Sequence, residues 1–219
     1  MNKNCFISWS GGKDSCLALY EAIQQGYTVK KMLTMFSVEN GISSAHRLKE
    51  EIIKAQGSAI GIECLIGKAL FEAYEEVFVS SAKLFKAYGI DYAIFGDIDL
   101  EEHRQWEERV CSRALITALL PLWQRDRKQL VKEFIQLGFK AKIVLVDTEM
   151  MDARFLGQDL SHSLLEEIED YGADVCGENG EYHTVVYDGP IFKKPVPLKF
   201  GSEIIFIEDR WAQINVGLI

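Results

Sequence analysis

Paired cysteines are missing from this sequence. The chain of 219 residues contains five cysteines, and no two of them stand in a C-x-x-C pair. Their scatter is atypical of a zinc site or of a disulfide-stabilised secreted domain, and it predicts a reduced protein of the cytoplasm. The five are Cys5, Cys16, Cys64, Cys111 and Cys176.

Long apolar runs, a signal segment, repeats and an excess of positive charge are missing as well. No apolar run approaches the ~20 residues that span a bilayer, so the sequence predicts no membrane partner. The formal net charge is −9, which argues against stable binding to nucleic-acid phosphates. A length of 219 residues suits one large domain or two small ones, and a homo-oligomer stays an open alternative.

The most informative segment present is a glycine turn near the N-terminus. Residues Ser10–Ser15 read SGGKDS and directly follow the apolar run Cys5–Trp9, after which a helical pattern begins. Glycines let a backbone approach an anion, and a helix N-terminus adds positive potential. Lys13 adds a charge for phosphate oxygens, and Asp14 suits a magnesium ion held between it and the phosphates. The alternative is a helix capped by Ser10 or Asp14 without any ligand.

Strand-like and helix-like runs alternate in the first half of the chain. This order predicts an α/β fold with a parallel sheet covered by helices on both faces. Ligands of such sheets bind beyond the carboxyl ends of the strands, where the Ser10 loop, the stretch after Phe36 and Gly96-Asp97 all fall. The predicted strands are Cys5–Trp9, Val29–Phe36, Ile62–Ile66 and Tyr92–Phe95, and the helices are Ser15–Gln25, Ser44–Gln56 (ending at Gly57), Leu70–Tyr88 and Leu100–Ala118.

The pattern changes near Pro121, where helices give way to β and turn signals. We predict a domain over residues 1–120, a smaller mixed α/β domain over 121–219, and a cleft between them. Turns at Gly201-Ser202 and Asp209-Arg210 predict antiparallel hairpins. Predicted elements are helices Arg127–Leu137 and Ser161–Tyr171 and strands Ala141–Val146, Val185–Tyr187, Pro197–Phe200, Glu203–Ile207 and Gln213–Ile219.

A second polar cluster occupies Gly177–Thr184, which reads GENGEYHT. Two carboxylates, an amide, an imidazole and a hydroxyl could hold magnesium, bind ammonium, or move protons when an amine attacks an activated acid. The alternative is a polar hairpin with Asn179-Gly180 as its type I′ turn. Composition alone leaves both interpretations open.

Several motifs together resemble the diphthine–ammonia ligases, a group of N-type ATP pyrophosphatases of the PP-loop superfamily. They are Ser10–Ser15, Phe95–Ile98, Arg104–Cys111, Pro121–Trp123 and Gly177–Thr184 followed by Asp188–Pro190. The resemblance implies an HUP-like ATP domain followed by a smaller substrate domain. It also implies the reaction: Mg²⁺-ATP adenylates the carboxylate of diphthine on elongation factor 2, pyrophosphate leaves, and ammonia then displaces AMP.

The same resemblance implies roles for the residues of the nucleotide half. Ser10, Gly11, Gly12 and Ser15 would bind the pyrophosphate end. Lys13, expected as an exposed loop lysine, would neutralise charge in the transition state, and Asp14 would hold Mg²⁺. Other nucleotide contacts are assigned to the backbone at Met35 and Phe36, which would meet adenine, and to Gly96 and Asp97 near the α-phosphate.

For the acceptor half, the resemblance assigns catalytic tasks to Glu178, Glu181 and His183. Substrate contacts fall to Asn179 and Thr184, and Arg104 and Arg109 would contact phosphate or the incoming protein. His46 and His103 are expected to be exposed or helix-surface histidines.

Competing interpretations are the same chemistry on another acid, sulfur or nitrogen insertion into tRNA, and an ATP-sensing module without catalysis. The tRNA interpretation is disfavoured because paired catalytic cysteines and a basic tract are missing. Free ammonium is the expected nitrogen donor, since the sequence shows no recognisable amidotransferase domain.

Overall fold

The computed structural model describes residues 3–219 and contains two β-sheets. The first is parallel throughout and has the strand order β3-β2-β1-β4-β5, which confirms the predicted α/β sheet. Its strands are β1 (Asn4–Ser8), β2 (Thr28–Ser37), β3 (Glu63–Ala69), β4 (Tyr92–Ile94) and β5 (Thr117–Leu119).

Helices cover both faces of the parallel sheet because its strands are apolar on both sides. Ile7 packs on one face with Leu17 of α1 and Ile52 of α2, whereas Phe6 packs on the other with Phe78 of α3 and Val110 of α4. The helices are α1 (Lys13–Gln24), α2 (Glu50–Ile60), α3 (Tyr74–Ala87, preceded by a 3₁₀ turn at Phe71–Ala73) and α4 (Glu101–Arg113).

The second sheet is antiparallel and has the order β7-β6-β9-β8. Its inner side chains, such as Ile143 and Val185, belong to the same buried cluster as Ile7 and Leu17 of the first sheet. The two halves therefore share one core, and the division at residues 120 and 121 stays a prediction. Its elements are α5 (Arg127–Gln136), β6 (Lys140–Asp147), α6 (His162–Tyr171), β7 (Tyr182–Asp188), β8 (Leu198–Ile207) and β9 (Trp211–Leu218).

Helix α2 differs most from its predicted bounds. It starts at Glu50 rather than Ser44 and runs through Gly57 to a left-handed Gly61, φ 91°. Residues 44–49 form a loop instead, closed by the bonds Ser43 N–Leu48 O and Leu48 N–Ser43 Oγ, both 2.9 Å. Apolar periodicity alone does not separate this loop from the helix that follows it.

The predicted end of one helix and one predicted turn were also wrong, because the structure has strands there. Thr117 and Ala118 were expected at the end of a helix, but α4 ends at Arg113, and both residues belong to β5, which pairs with β4. Gly201-Ser202 was expected to be a turn, but it lies inside the single strand β8, where the register shifts between Phe200 and Ile204. The Asp209 turn is present and joins β8 to β9.

Across residues 3–219, the structure contains no helix with the length and apolar character that crossing a bilayer requires.

Gly57→Ala should destabilise the fold, although glycine-to-alanine changes in open helices stabilise by about 0.5–1 kcal/mol. A Cβ here would lie 2.8 Å from the Ile62 carbonyl oxygen, so the chain must shift. We expect a loss of about 1–2 kcal/mol in chemical denaturation. Ser58→Ala, on the exposed side of the same helix, is the matched control and should stay within about 0.5 kcal/mol. Equal losses of stability in both variants would show that the Ile62 carbonyl does not exclude a side chain at residue 57.

Candidate active site

A cavity of about 960 Å³ opens where the carboxyl ends of the parallel strands meet the segment before β7. Both predicted clusters, the Ser10 loop and Gly177–Thr184, contribute to its wall. Among the residues expected at the site, those that line it are Ser10, Lys13, Asp14, Ser15, Gly96, Asp97, Glu178, Asn179, His183 and Thr184.

The loop between β1 and α1 is built for close backbone approach. Gly11 adopts φ 85°, and α1 begins at Lys13, so the second half of the SGGKDS segment is the first turn of the helix. The free N–H groups of a first helical turn attract anions. Ser10 Oγ lies 3.0 Å from Ser15 Oγ and accepts a hydrogen bond from Gly12 N at 3.3 Å, which fixes the turn.

Lys13 is buried rather than exposed, with 5% of its surface accessible. Its Nζ lies 2.8 Å from Asp14 Oδ2 and 5.3 Å from the centre of the Tyr182 ring. Burial opposes the charge, but the Asp14 carboxylate, with smaller contributions from Cys176 and Tyr182, raises the pKa of Lys13 well above its usual value. The cavity therefore contains a fixed, permanently charged ammonium group.

Strand β7 is hydrogen-bonded directly to this loop. Val186 N donates to Gly11 O at 3.0 Å, and Lys13 N donates to Thr184 Oγ1 at 3.1 Å. Thr184 thus holds the start of α1. These two bonds set the distance between the SGGKDS loop and the GENGEYHT segment.

Gln56 of α2, which sequence reasoning missed, joins the same contact from behind. Its Nε2 donates to Gly11 O at 2.9 Å and to Val186 O at 2.7 Å, and its Oε1 accepts from Trp9 Nε1 at 3.0 Å. The side chain is fully buried. A signal was present, because this glutamine interrupts the apolar face formed by Ile52, Ile53 and Ile60.

Within the GENGEYHT segment the two glutamates have different surroundings. Glu181 is buried, and its carboxylate accepts from Asp174 N at 3.4 Å and from Asn179 N and Nδ2 at 3.1 and 2.9 Å, so it organises the loop. Glu178 lines the cavity and accepts from Ile98 N at 3.3 Å. Burial, and then the charge of Asp14, raise the pKa of Glu178 to about 7.

The hairpin alternative for this segment does not match the topology. Strand β7 pairs with β6, which lies before α6 in the chain, and the residues just before β7 form turns. Gly177 and Gly180 adopt φ 67° and 95° in those turns.

His46 was expected to be exposed, and that expectation was wrong. It lies in the loop before α2, where its Nδ1 donates to Thr184 O at 2.7 Å and its ring centre is 4.8 Å from that of His183. Burial lowers the pKa of His46 to about 4, and burial followed by the neighbouring His46 lowers the pKa of His183 well below its usual value. Both rings are neutral at pH 7.

Beyond β4, a group of three ionisable side chains lines the cavity. Asp97 Oδ1 accepts from His103 Nδ1 at 2.7 Å, and the carboxyls of Asp97 and Glu107 are hydrogen-bonded to each other. Burial opposes the charge of Asp97, but the bonds to His103 and Glu107 lower its pKa, while the bond to Asp97 raises the pKa of His103. Burial first, and then Asp97, raise the pKa of Glu107 to about 11.

Comparison with protein-family models gives two matches that follow one another along the chain. The "Diphthamide synthase N-terminal domain" matches residues 3–117, and the "Diphthamide synthase C-terminal domain" matches residues 126–217. The chain belongs to the diphthamide synthase family. As a member of this family it is an enzyme of the ATP-dependent ligase class.

The names of two similar vertebrate proteins agree with this family. The diphthine–ammonia ligase of Danio rerio is 25% identical, covering 94% of this chain and 90% of its own. That of Homo sapiens is 26% identical, covering 94% and 86%. A crystal structure described as a predicted subunit of a tRNA methyltransferase from Methanocaldococcus jannaschii is 15% identical with a TM-score of 0.45, covering 85% of this chain and 97% of its own.

Some residues that the family resemblance implicates lie outside the cavity lining of the described chain. Arg104 pairs with Glu101 at 2.6 Å and Arg109 with Glu75 at 2.8 Å, and both arginine side chains are partly exposed to solvent. The Met35 carbonyl, expected near adenine, accepts from Ser44 N at 3.1 Å. The full set is Gly11, Gly12, Met35, Phe36, Arg104, Arg109 and Glu181.

Arg127 is a further residue that sequence reasoning missed. Its guanidinium contacts Asp99 after β4, Asp174 at 2.6 Å and Asn179 at 3.1 Å. It therefore ties the GENGEYHT segment to the loop that carries Asp97. As an arginine near the start of α5 it resembles any surface residue in the sequence.

Gln56→Leu should lower stability by about 3 kcal/mol, because it leaves Trp9 Nε1 and the Val186 carbonyl buried without this partner. It should also weaken nucleotide binding, since Gly11 and β7 lose their common link. Urea denaturation and ATP titration measure the two effects. Gln24→Leu, on the exposed side of α1, is the control and should alter neither. If Gln56→Leu kept the wild-type stability, the hydrogen bonds of Gln56 to Gly11, Val186 and Trp9 would not be important for the fold.

Glu178→Gln should flatten the pH dependence of stability. The carboxyl has a usual pKa of 4.5 and a folded-state pKa of about 7, so the folded state binds the proton more tightly. Its contribution to the free energy of unfolding therefore falls as pH rises from about 4.5 to 7 and is level above that. Urea midpoints measured across this window should decline less in the variant. An unchanged decline would show that Glu178 ionises as it does in the unfolded chain.

Proposed function

We propose that this enzyme adenylates a carboxylate and then amidates it with ammonia, releasing pyrophosphate and AMP. The proposed acid is diphthine on elongation factor 2, in line with the printed names of the relatives. The observation that carries the proposal is that the SGGKDS loop and the GENGEYHT segment line the same cavity, where hydrogen bonds between β7 and the loop hold them together. A ligase that works through an adenylate must bind ATP and the acid next to each other, because the carboxylate oxygen has to lie close to the α-phosphate in order to react with it.

In this proposal the SGGKDS loop holds the phosphates. The N–H groups of the first turn of α1 after Lys13, whose own N–H is bonded to Thr184, and the hydroxyls of Ser10 and Ser15 would bind the anion, and Lys13 would neutralise charge that develops between the α- and β-phosphates. Gly96 lets the end of β4 approach closely: a Cβ there would lie 2.8 Å from the Asp14 carbonyl carbon and from Ser15 N. The α-phosphate then lies between the loop and Asp97.

Magnesium fits this site as a metal shared with the nucleotide. Within residues 3–219, no group of three or more His, Cys, Asp and Glu side chains is arranged to hold a metal. Mg²⁺ bound to a nucleotide needs only one or two carboxylates, and Asp14 lines the cavity beside the proposed phosphate site. The ion would supply charge neutralisation for the phosphates.

The acceptor acid and ammonia belong on the side of Glu178. With a pKa of about 7, Glu178 can hold or release a proton at neutral pH, as proton transfer during amide formation requires. Glu181 serves as a positioning residue for this loop, together with Arg127. His183, neutral and beside His46, offers a second proton acceptor.

Product analysis tests the reaction. With Mg²⁺-ATP, ammonium chloride and elongation factor 2 carrying diphthine, AMP and pyrophosphate should form in equal amounts together with the amide. Lys13→Met should lower kcat at least about 100-fold, because the buried positive charge is lost. Lys83→Met, an exposed lysine on α3, is the matched control and should keep the wild-type rate.

Other products would decide among the alternatives. ADP and phosphate would overturn the adenylation mechanism. AMP formation with another carboxylate but not with diphthine would keep the chemistry and change the substrate, and dependence on tRNA would favour nucleotide modification. ATP binding without turnover on any acid would favour a sensing module. Circular dichroism of the Lys13 variant separates a loss of catalysis from a loss of folding.

A further inference from the structure

The wall of the cavity includes a buried polar atom without a partner, which the proposed phosphate and acceptor sites do not use. Glu107 has 3% of its surface exposed, and its Oε2 has no hydrogen-bond partner among residues 3–219. A buried oxygen without a donor costs about 1–3 kcal/mol, so native proteins rarely leave one unmatched. Glu107 belongs to the cavity wall, where a bound ligand can supply the missing donor.

The negative charge around this oxygen favours a small cation that carries N–H donors. The carboxyls of Glu107 and Asp97 are hydrogen-bonded to each other, and two carboxyls that share one proton carry a single negative charge. Glu178 lies on the same wall and adds a further acceptor.

We propose that Glu107, Asp97 and Glu178 form the binding site for ammonium, the nitrogen donor of the amidation. Glu107 Oε2 accepts one N–H, Asp97 accepts another and balances the charge, and Glu178 faces the acyl group. This inference rests on the proposed function and extends it, since it locates the nucleophile on the β4–α4 side of the cavity.

The site also offers a route for the protons of the reaction. Ammonium gives one proton to Glu178, and the nitrogen lone pair then forms the C–N bond with the acyl carbon of the adenylate. The C–O bond to AMP breaks, its electron pair stays with the AMP phosphate, and the nitrogen gives its second proton to that phosphate. His103, whose Nδ1 donates to Asp97 at 2.7 Å, keeps the Asp97 carboxylate charged and so keeps it available as an acceptor for the cation.

Glu107→Met tests the site because it removes the acceptor and fills the same buried space. We expect the KM for ammonium to rise at least tenfold while the KM for ATP stays within about twofold, an energy difference of about 1.4 kcal/mol. Glu107→Gln keeps a neutral acceptor and can donate to Asp97, so its KM for ammonium should stay within about threefold of wild type. Glu108→Met, on the exposed face of α4, is the matched control.

A binding measurement that needs no turnover separates this inference from the proposed function. Thermal unfolding is followed in ammonium chloride and in sodium or potassium chloride of equal ionic strength. A ligand that binds only the folded state raises the Tm, so wild type and Glu107→Gln should show a rise specific to ammonium. Glu107→Met should not. Asp97→Asn, which removes the balancing charge, should also lose the rise and serves if Glu107→Met fails to fold.

The outcomes distinguish the two claims. An ammonium-specific rise that depends on Glu107, without any amidation, would support the cation site and overturn the proposed reaction. Amidation with an unchanged KM for ammonium in Glu107→Met would support the reaction and overturn the site. The same rise with sodium or potassium would overturn the assignment to ammonium.

Discussion

The contact between β7 and the glycine loop is the constraint on which the site depends. Val186 and Thr184 of β7 bond to Gly11 of the loop and to Lys13 at the start of α1, and Gln56 satisfies the remaining groups behind them. All of these atoms are buried, so each must have a partner, and a shift of β7 by one residue would leave several unmatched at once. The spacing between the SGGKDS loop and the GENGEYHT segment is thereby fixed by one bond between backbone atoms and by two buried side chains, Thr184 and Gln56, that bond to the backbone.

This constraint explains why the chain uses one core for two sheets. A β7 strand on an independent domain would swing relative to the loop, whereas here Val185 and Ile143 pack in the same cluster as Ile7 and Leu17. Arg127 adds a polar tie on the solvent side, joining Asp99 to Asp174. The GENGEYHT segment is therefore held by apolar packing on its inner side and by ion pairs on its solvent side, so its turn at Gly177–Gly180 keeps one shape around the buried Glu181 carboxylate.

Local sequence patterns were sufficient for the parallel sheet and for the position of the loop, because strand and helix periodicity and strand-end clusters are local signals. They failed where contacts with residues far along the chain determine the local structure or the burial of a side chain. Thr117–Leu119 is a strand only because β4 offers an edge to pair with. Gly57 lies inside a helix, and it is a glycine because the Ile62 carbonyl leaves no room for a side chain there. His46 is buried because its ring bonds to the Thr184 carbonyl. Gln56 and Arg127 are recognisable as functional supports only after the chain has folded.

The charges of the cavity set a final condition on its chemistry. Within its described lining, Lys13 is the only lysine or arginine, whereas Asp14, Asp97 and Glu178 are joined there by Glu72, Glu75 and Glu107. An ATP molecule adds further negative charge, and Lys13 is already paired with Asp14. The backbone N–H groups of α1 supply only partial charges. In the proposed function, nucleotide binding therefore needs cations from solution, and the proposed metal on the phosphates and the proposed ammonium near Asp97 would both reduce the negative charge of the cavity.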